Sequence, residues 1–260
     1  DRETIAELQA SVDAMVEHRI GSFSFEPSDP TLIQRISTPN QYSHAFRRLM
    51  RNEALCGCIA QVIGPSFRHN NVKLNFKPAG AGSPVEWHQD WAFYPHTNDD
   101  LLEVGIALDD MTEENGALMV IPGSHKDKVW DHHQDGLFVG AVTDPTFQPD
   151  DAVSVTVKAG GITLHHVRMV HGSKPNESDK PRRMFFIGFY ATDAWPLIPT
   201  GYSIEEMDKC IVRGEPTLEP RMKNLPVRLS LPRVEGGSIY AQQEKLRNAR
   251  LSPRADKEVT

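Results

Sequence analysis

Apolar residues at the start of the chain recur at three- and four-residue spacing. Ile5, Leu8, Val12, Met15 and Val16 share one face of a predicted helix, and Gly21 stands beyond it as a stop. Glu26-Pro27-Ser28-Asp29-Pro30 reads as a loop. A second helix is predicted from about Tyr42 to Val62. Its buried stripe would be Phe46, Leu49, Met50, Leu55, Ile59 and Val62, and Gly64-Pro65 ends it. Both stripes read as packing surfaces.

From Asn71 onward the period falls to two. Val72-Lys73-Leu74-Asn75-Phe76-Lys77 alternates as a half-buried strand does. Pro78 to Pro84 is a turn-rich loop, and the next strand carries Trp87, His88 and Asp90. Leu101 to Leu108 is a mostly apolar strand, interrupted by Glu103 and Gly105. Thr112-Glu113-Glu114-Asn115-Gly116 predicts a hairpin, since Asn-Gly suits a primed turn. Ala117 to Ile121 continues as a strand, ended by Pro122-Gly123-Ser124. Lys126 to Asp151 is polar and irregular, and reads as a long insert or lid with His132 and His133 in solvent, as His125 in the turn before it also is. Val153 to Val157, Ile162 to His165 and Met184 to Tyr190 are further strands. Beyond Trp195 the pattern weakens. Pro196 to Leu231 is Pro-rich, and Ser238 to Leu251 fits a short polar helix. This tail is expected to wrap the core or cover a site. Many short strands after two helices predict a mainly β fold with flanking helices (α+β), built as a sandwich or barrel.

Composition narrows the class. With 260 residues, 39% of them hydrophobic and 24% charged, the chain is a soluble globular protein with a sizeable core. The 28 basic and 35 acidic residues leave a net charge of -7, which argues against bulk binding to nucleic acid or to an anionic membrane. Arg47, Arg48 and Arg51 cluster as a solvated helix face. Cys56, Cys58 and Cys210 make no disulfide framework and read as core or semi-buried thiols, which fits a reducing, cytoplasmic setting. No run is long and apolar enough to span a bilayer. The chain begins at Asp1 rather than Met, so an upstream targeting segment is compatible with it.

The chemistry concentrates in two places. His88 and Asp90, at i and i+2 on an extended strand, point to the same side. His171-Gly172-Ser173 follows 83 residues after His88, near the end of an apolar stretch. Two imidazoles and one carboxylate suit non-haem Fe(II) and leave coordination positions open. Pro181-Arg182-Arg183 lies just beyond, and either Arg offers a cation to a dicarboxylate; adjacent strand residues face opposite ways, so only one can point inward.

Asn75-x-Lys77-Pro78, Trp87-His88-Gln89-Asp90, Asn115-Gly116-Ala117-Leu118, Ile121-Pro122-Gly123-Ser124-His125-Lys126, His171-Gly172-Ser173 and Pro181-Arg182 together resemble the phytanoyl-CoA dioxygenase family. The resemblance spans about Asn71 to Tyr190, and the tail is only loosely covered. It implies a double-stranded β-helix (jelly roll, cupin-like) and an Fe(II)/2-oxoglutarate-dependent dioxygenase, a hydroxylase in which decarboxylation of 2-oxoglutarate to succinate and CO2 arms O2 against an unactivated C–H bond. Fe(II), 2-oxoglutarate and O2 are the expected cofactor and co-substrates, with ascorbate as reductant in vitro. On this reading one domain covers 1–260, with a helical flank over 1–66, a jelly-roll core over 67–195 and an extension over 196–260.

His88, Asp90 and His171 are then the metal ligands. The family spacing of eleven residues after His171 favours Arg182 for the 5-carboxylate of 2-oxoglutarate, with Ser173 beside it. Lys73 and Asn75 alternate inward together, and either can meet the 1-carboxylate. Trp87, Phe93 and Tyr94 are candidates for the substrate wall, the last two preferred. His165 and His166 read as packing or as hydrogen-bond support.

The expected partner is a small molecule, with the chain a monomer or homodimer. Asp90 argues against a halogenase, which frees that position for chloride. The absence of a basic patch argues against an acyl-CoA. A zinc hydrolase on the same His/Asp/His face leaves Arg182 unexplained. A catalytically silent jelly-roll binding protein has no need of the full ligand set.

Overall fold

The computed structural model describes residues 1–233 and 238–251. In chain order its helices are α1 (Arg2–Glu17), α2 (Pro39–Tyr42), α3 (His44–Met50), α4 (Glu53–Ile63), α5 (Ile204–Lys209) and α6 (Ile239–Gln243). Its strands are β1 (Ser22–Glu26), β2 (Asp29–Ser37), β3 (Phe67–Lys77), β4 (Val85–His88), β5 (Leu101–Ala107), β6 (Leu118–Val120), β7 (His133–Gln134), β8 (Leu137–Phe138), β9 (Val153–Val155), β10 (Ile162–His166), β11 (His171–Ser173), β12 (Arg182–Ala191) and β13 (Ile211–Arg213).

Two antiparallel sheets form a jelly roll. The larger has the order β1-β2-β3-β12-β5-β10, with β13 added beside β3; the smaller has the order β4-β11-β6-β9. Alternation assigns the faces. Phe185, Ile187 and Phe189 on β12, Leu102, Val104 and Ile106 on β5, and Val72 and Leu74 on β3 pack against α1, α3 and α4. Their neighbours Arg182 and Phe186, Glu103, and Lys73 and Asn75 turn the other way and line a cavity between the sheets. Asp1 caps α1 by accepting from the Thr4 amide at 2.8 Å, and Asn52 caps α4 by accepting from the Leu55 amide at 3.1 Å.

Phe185 is fully buried and meets Phe46 edge-on, with ring centroids 4.6 Å apart. Its replacement by Ala removes one of the contacts that join helices to sheet. Phe185→Ala is expected to cost about 3–5 kcal/mol, read as a lowered denaturation midpoint with an unchanged slope.

Several sequence expectations need correction. Pro27 and Ser28 are only the turn of a hairpin, and Glu26 and Asp29-Pro30 belong to its strands. The segment 1–66 is therefore not a purely helical flank, since β1 and β2 widen the larger sheet. The single helix from Tyr42 to Val62 is three helices, because Ser43 is extended and Asn52 starts a new cap. That break shifts the helical phase, so Val62 is 57% exposed while Ile63 is buried.

Thr112 to Gly116 is a turn but not a hairpin. Of its residues only Gly116 has positive φ, whereas a primed type I′ turn needs two. The strands it joins lie in different sheets, and the Asn115 side chain fastens the turn by accepting from the Thr112 amide and donating to the Asp110 carbonyl, each at 2.8 Å. Lys126 to Asp151 is not a solvated lid: His132, His133, Phe138, Val139, Val142 and Phe147 are buried, and His125 is half-buried. Cys56 is buried, Cys210 half-buried, and Cys58 exposed against expectation.

The tail meets both expectations placed on it. Pro196, Ile198, Tyr202 and Tyr240 line the cavity, while Arg221 pairs with Asp193 and Asp100, and Lys223 with Asp99 and Asp100, fastening the tail beside the start of β5. Residues 252–260 of the extension lie outside the described residues. No helix among the described residues is long and apolar enough to cross a membrane.

Candidate active site

The smaller sheet delivers both imidazoles. His88 ends β4, His171 opens β11, and the two face each other across the antiparallel pair with ring centroids 4.0 Å apart. Asp90 arrives differently. The strand stops at His88, Gln89 stays extended, and Asp90 begins a 3-10 turn over Asp90–Ala92. The i, i+2 side sharing therefore survives although Asp90 is not on the strand. Ligand atoms of the three residues lie within 4.8 Å of one another. Asp90 Oδ1 is 3.7 Å from His88 Nε2, and Asp90 Oδ2 is 3.7 Å from His171 Nε2.

The surroundings aim these groups. His88 Nδ1 is held by the Glu86 carbonyl at 2.8 Å, and His171 Nδ1 by the Met169 carbonyl at 2.9 Å, so both Nε2 atoms point at the shared centre. Burial pushes both imidazoles below their usual pKa, well below for His171, which keeps them neutral and fit to ligate. Burial alone would raise the Asp90 carboxyl, but the imidazoles of His171 and His88, whenever either is protonated, and the Lys73 ammonium pull it below the usual carboxylate range. Two neutral imidazoles and one carboxylate, gathered and oriented in this way, fit Fe(II).

The loop bearing Asp90 is braced from behind. The Gln89 amide donates to His132 Nε2 at 2.9 Å, and Gln89 Oε1 accepts from the Trp130 amide at 2.9 Å. His132, expected in solvent, is thus a buried strut, and burial drops its pKa to about 3. Lys77 is buried as well, and its ammonium bonds the carbonyls of Ser83 and Lys174, tying the loop before β4 to the end of β11.

Arg182 lies across the same cavity, only 4% exposed. Its Nε has no hydrogen-bond partner, and Nη1 reaches only the Met111 sulfur at 3.5 Å. Burial lowers its pKa to about 10, so it remains charged at neutral pH. Arg183 faces away and pairs with Asp109 at 2.7 Å and Asp13 at 3.0 Å. Ser173, Asn75 and Lys73 line the cavity with Arg182, and the Asn75 side-chain oxygen is buried without a partner.

Phe93 and Tyr94 also line the cavity, and the Phe93 ring stands edge-on to His88 at 5.8 Å. Trp87 does not: it packs with Val142, Phe147 and Val170 on the far side of β4, because its neighbour His88 takes the inner face. One of the inward residues, Glu103, had no assigned place in the sequence reading. Glu103 is 2% exposed and accepts from the Tyr94 hydroxyl at 3.0 Å; its only signal was a charge inside an apolar strand. His165 is buried with its Nε2 3.5 Å from Asp90 Oδ2 and both ring nitrogens without a hydrogen bond, whereas His166 is half-buried near Asp99.

The chain is similar to known proteins over most of its length. The phytanoyl-CoA dioxygenase family model matches residues 6–184. A probable alpha-ketoglutarate-dependent hypophosphite dioxygenase of Stutzerimonas stutzeri is 42% identical over 222 residues, covering 83% of this chain and 77% of the relative. The L-proline trans-4-hydroxylase of Streptomyces griseoviridis is 29% identical over 185 residues, covering 62% and 68%. Among solved structures, iron-bound EctD from S. alaskensis shares the fold with a TM-score of 0.65 at 22% identity, over 85% of this chain and 80% of that one. A buried two-histidine, one-carboxylate centre on a jelly roll, matched along most of its length, means that the chain belongs to the phytanoyl-CoA dioxygenase family of iron- and 2-oxoglutarate-dependent oxygenases.

Proposed function

We propose that the protein inserts one oxygen atom into a C–H or P–H bond of a compact polar molecule. The overall reaction is R–H + 2-oxoglutarate + O2 → R–OH + succinate + CO2. Fe(II), when bound, supplies the site at which O2 and 2-oxoglutarate are turned into the oxidant. One observation carries the reading: a neutral-imidazole and carboxylate centre shares a cavity with a buried guanidinium that has unmet donors.

In this reading His88, Asp90 and His171 hold the metal. Arg182 anchors the 5-carboxylate of 2-oxoglutarate, since a planar guanidinium pairs with a carboxylate through two parallel bonds. Ser173 adds a hydroxyl at the same end. Asn75 offers its side-chain amide toward the 1-carboxylate. Phe93 and Tyr94 form the substrate wall beside His88, and the tail residues Pro196 and Tyr202 help keep water out. The cavity, about 460 Å³, suits 2-oxoglutarate and one compact substrate rather than an acyl-CoA.

The 42% identical relative makes hypophosphite the first compound to test. With Fe(II), 2-oxoglutarate and O2, one phosphite is expected per succinate, with one oxygen of the phosphite drawn from labelled O2. Phosphite without label, or formed without 2-oxoglutarate, would sink the reading.

A further inference from the structure

The cavity holds more positive charge than its co-substrate accounts for. Among the described residues, four cations (Arg35, Lys73, Arg182 and Arg233) and two carboxylates (Asp90 and Glu103) line it. That is an excess of two positive charges. Fe(II) and the 2-oxoglutarate dianion bring equal and opposite charge, so the excess persists once both are bound. Charge held in a partly buried site without a counter-charge is costly, Arg182 being buried and Arg35, Lys73 and Arg233 half-buried, and the missing partner is an anion.

The cations are not equivalent. Arg182 has the charged Lys77 and Asp109 and the neutral hydroxyl of Tyr240 as its electrostatic neighbours. Arg233 is held by the carbonyls of Ser230 and Phe93. Lys73 lies on the metal side, close enough for its charge to act on Asp90 and His88. Its ammonium is 3.8 Å from Glu103 Oε2, too long for a hydrogen bond, and 5.8 Å from the centre of the Phe186 ring. Glu103 Oε2 makes no hydrogen bond, while Glu103 Oε1 accepts from Tyr94. Arg35 stands two residue pairs from Lys73 along the β2–β3 ladder, opposite Asn75, and its buried Nε has no partner.

We infer that the substrate is a small anion, that Lys73 is its counter-ion beside the metal, and that Glu103 and Tyr94 position the Lys73 ammonium. This rests on the dioxygenase reading above and adds the charge of the substrate to it. A zwitterion or a neutral molecule of the same size brings no net charge and leaves the excess in place. Lys73 here serves the substrate and not the 1-carboxylate of 2-oxoglutarate.

The test is anaerobic binding, which needs no turnover. The Fe(II)- and 2-oxoglutarate-loaded protein is titrated by calorimetry with three anions (hypophosphite, dimethylphosphinate and propionate) and two zwitterions (L-proline and ectoine). The visible absorption of the Fe(II)–2-oxoglutarate complex is followed in parallel. At least one anion is expected to bind tenfold or more tightly than either zwitterion. Lys73→Met is expected to weaken that anion at least tenfold while the visible band and its 2-oxoglutarate dependence persist, and Lys73→Arg to restore much of the affinity. Preference for a zwitterion, or no binding by any of the five, overturns the inference alone. Loss of the band in Lys73→Met, in protein whose circular dichroism is unchanged, overturns it too by moving Lys73 to 2-oxoglutarate. A wild-type protein that gives no band refutes the dioxygenase reading itself, and the inference falls with it.

Discussion

Asp90→Ala is expected to abolish 2-oxoglutarate-dependent turnover while the fold stays intact. Asp90 is the sole carboxylate among the described residues that shares a ligand cluster with His88 and His171. Without it two neutral imidazoles face the cavity, and the centre loses the one anionic oxygen that offsets the charge of Fe(II). The loop that carries residue 90 does not depend on the carboxylate for its shape, since Gln89, His132 and Trp130 hold it through bonds between side chains and backbone. Circular dichroism should therefore match wild type, while succinate formation and retained iron both collapse. Wild-type succinate yield in the variant would remove Asp90 from the ligand set.

Arg182→Ala should raise the apparent requirement for 2-oxoglutarate far more than Arg183→Ala. A hydrogen-bonded charge pair at a buried guanidinium contributes about 1.5–3 kcal/mol, so the loss should be roughly 10- to 100-fold. Arg183 faces the opposite side of β12, where Asp109 and Asp13 occupy it, and its removal should leave the 2-oxoglutarate dependence near wild type. The two substitutions sit side by side on one strand, so each controls for general damage from the other. Initial rates of succinate release against 2-oxoglutarate concentration separate them. The reverse order would mean that Arg183, not Arg182, points into the cavity in solution.

The metal corner was legible because it depends on local rules. Alternation along an extended segment puts His88 and Asp90 on one side, and the same rule sends Trp87 to the other, where it packs against Phe147. It also separates Arg182 from Arg183, and places Lys73 with Asn75. What the rules could not supply was pairing. Asn115-Gly116 has the composition of a hairpin turn, yet β6 leaves β5 and joins β11 and β9, a choice made by the inter-sheet core around Met111, Leu118 and Met184.

Polarity misled in the segment from Lys126 to Asp151. Buried His132 has its polar needs met by the backbone, so a polar sequence is compatible with a buried position. Glu103 is the converse. A single acid in an apolar strand reads as an interruption until its partners across the fold, Tyr94 and Lys73, are known.

Succinate release is the most direct test of the central claim. The protein is incubated with 2-oxoglutarate, O2 and ascorbate, with Fe(II) or Zn(II) as the only metal. Iron-dependent conversion of 2-oxoglutarate to succinate and CO2, absent with zinc and lost in Asp90→Ala, is the predicted result. No succinate with iron, alongside tight retention of zinc, would contradict it and point to a hydrolytic centre.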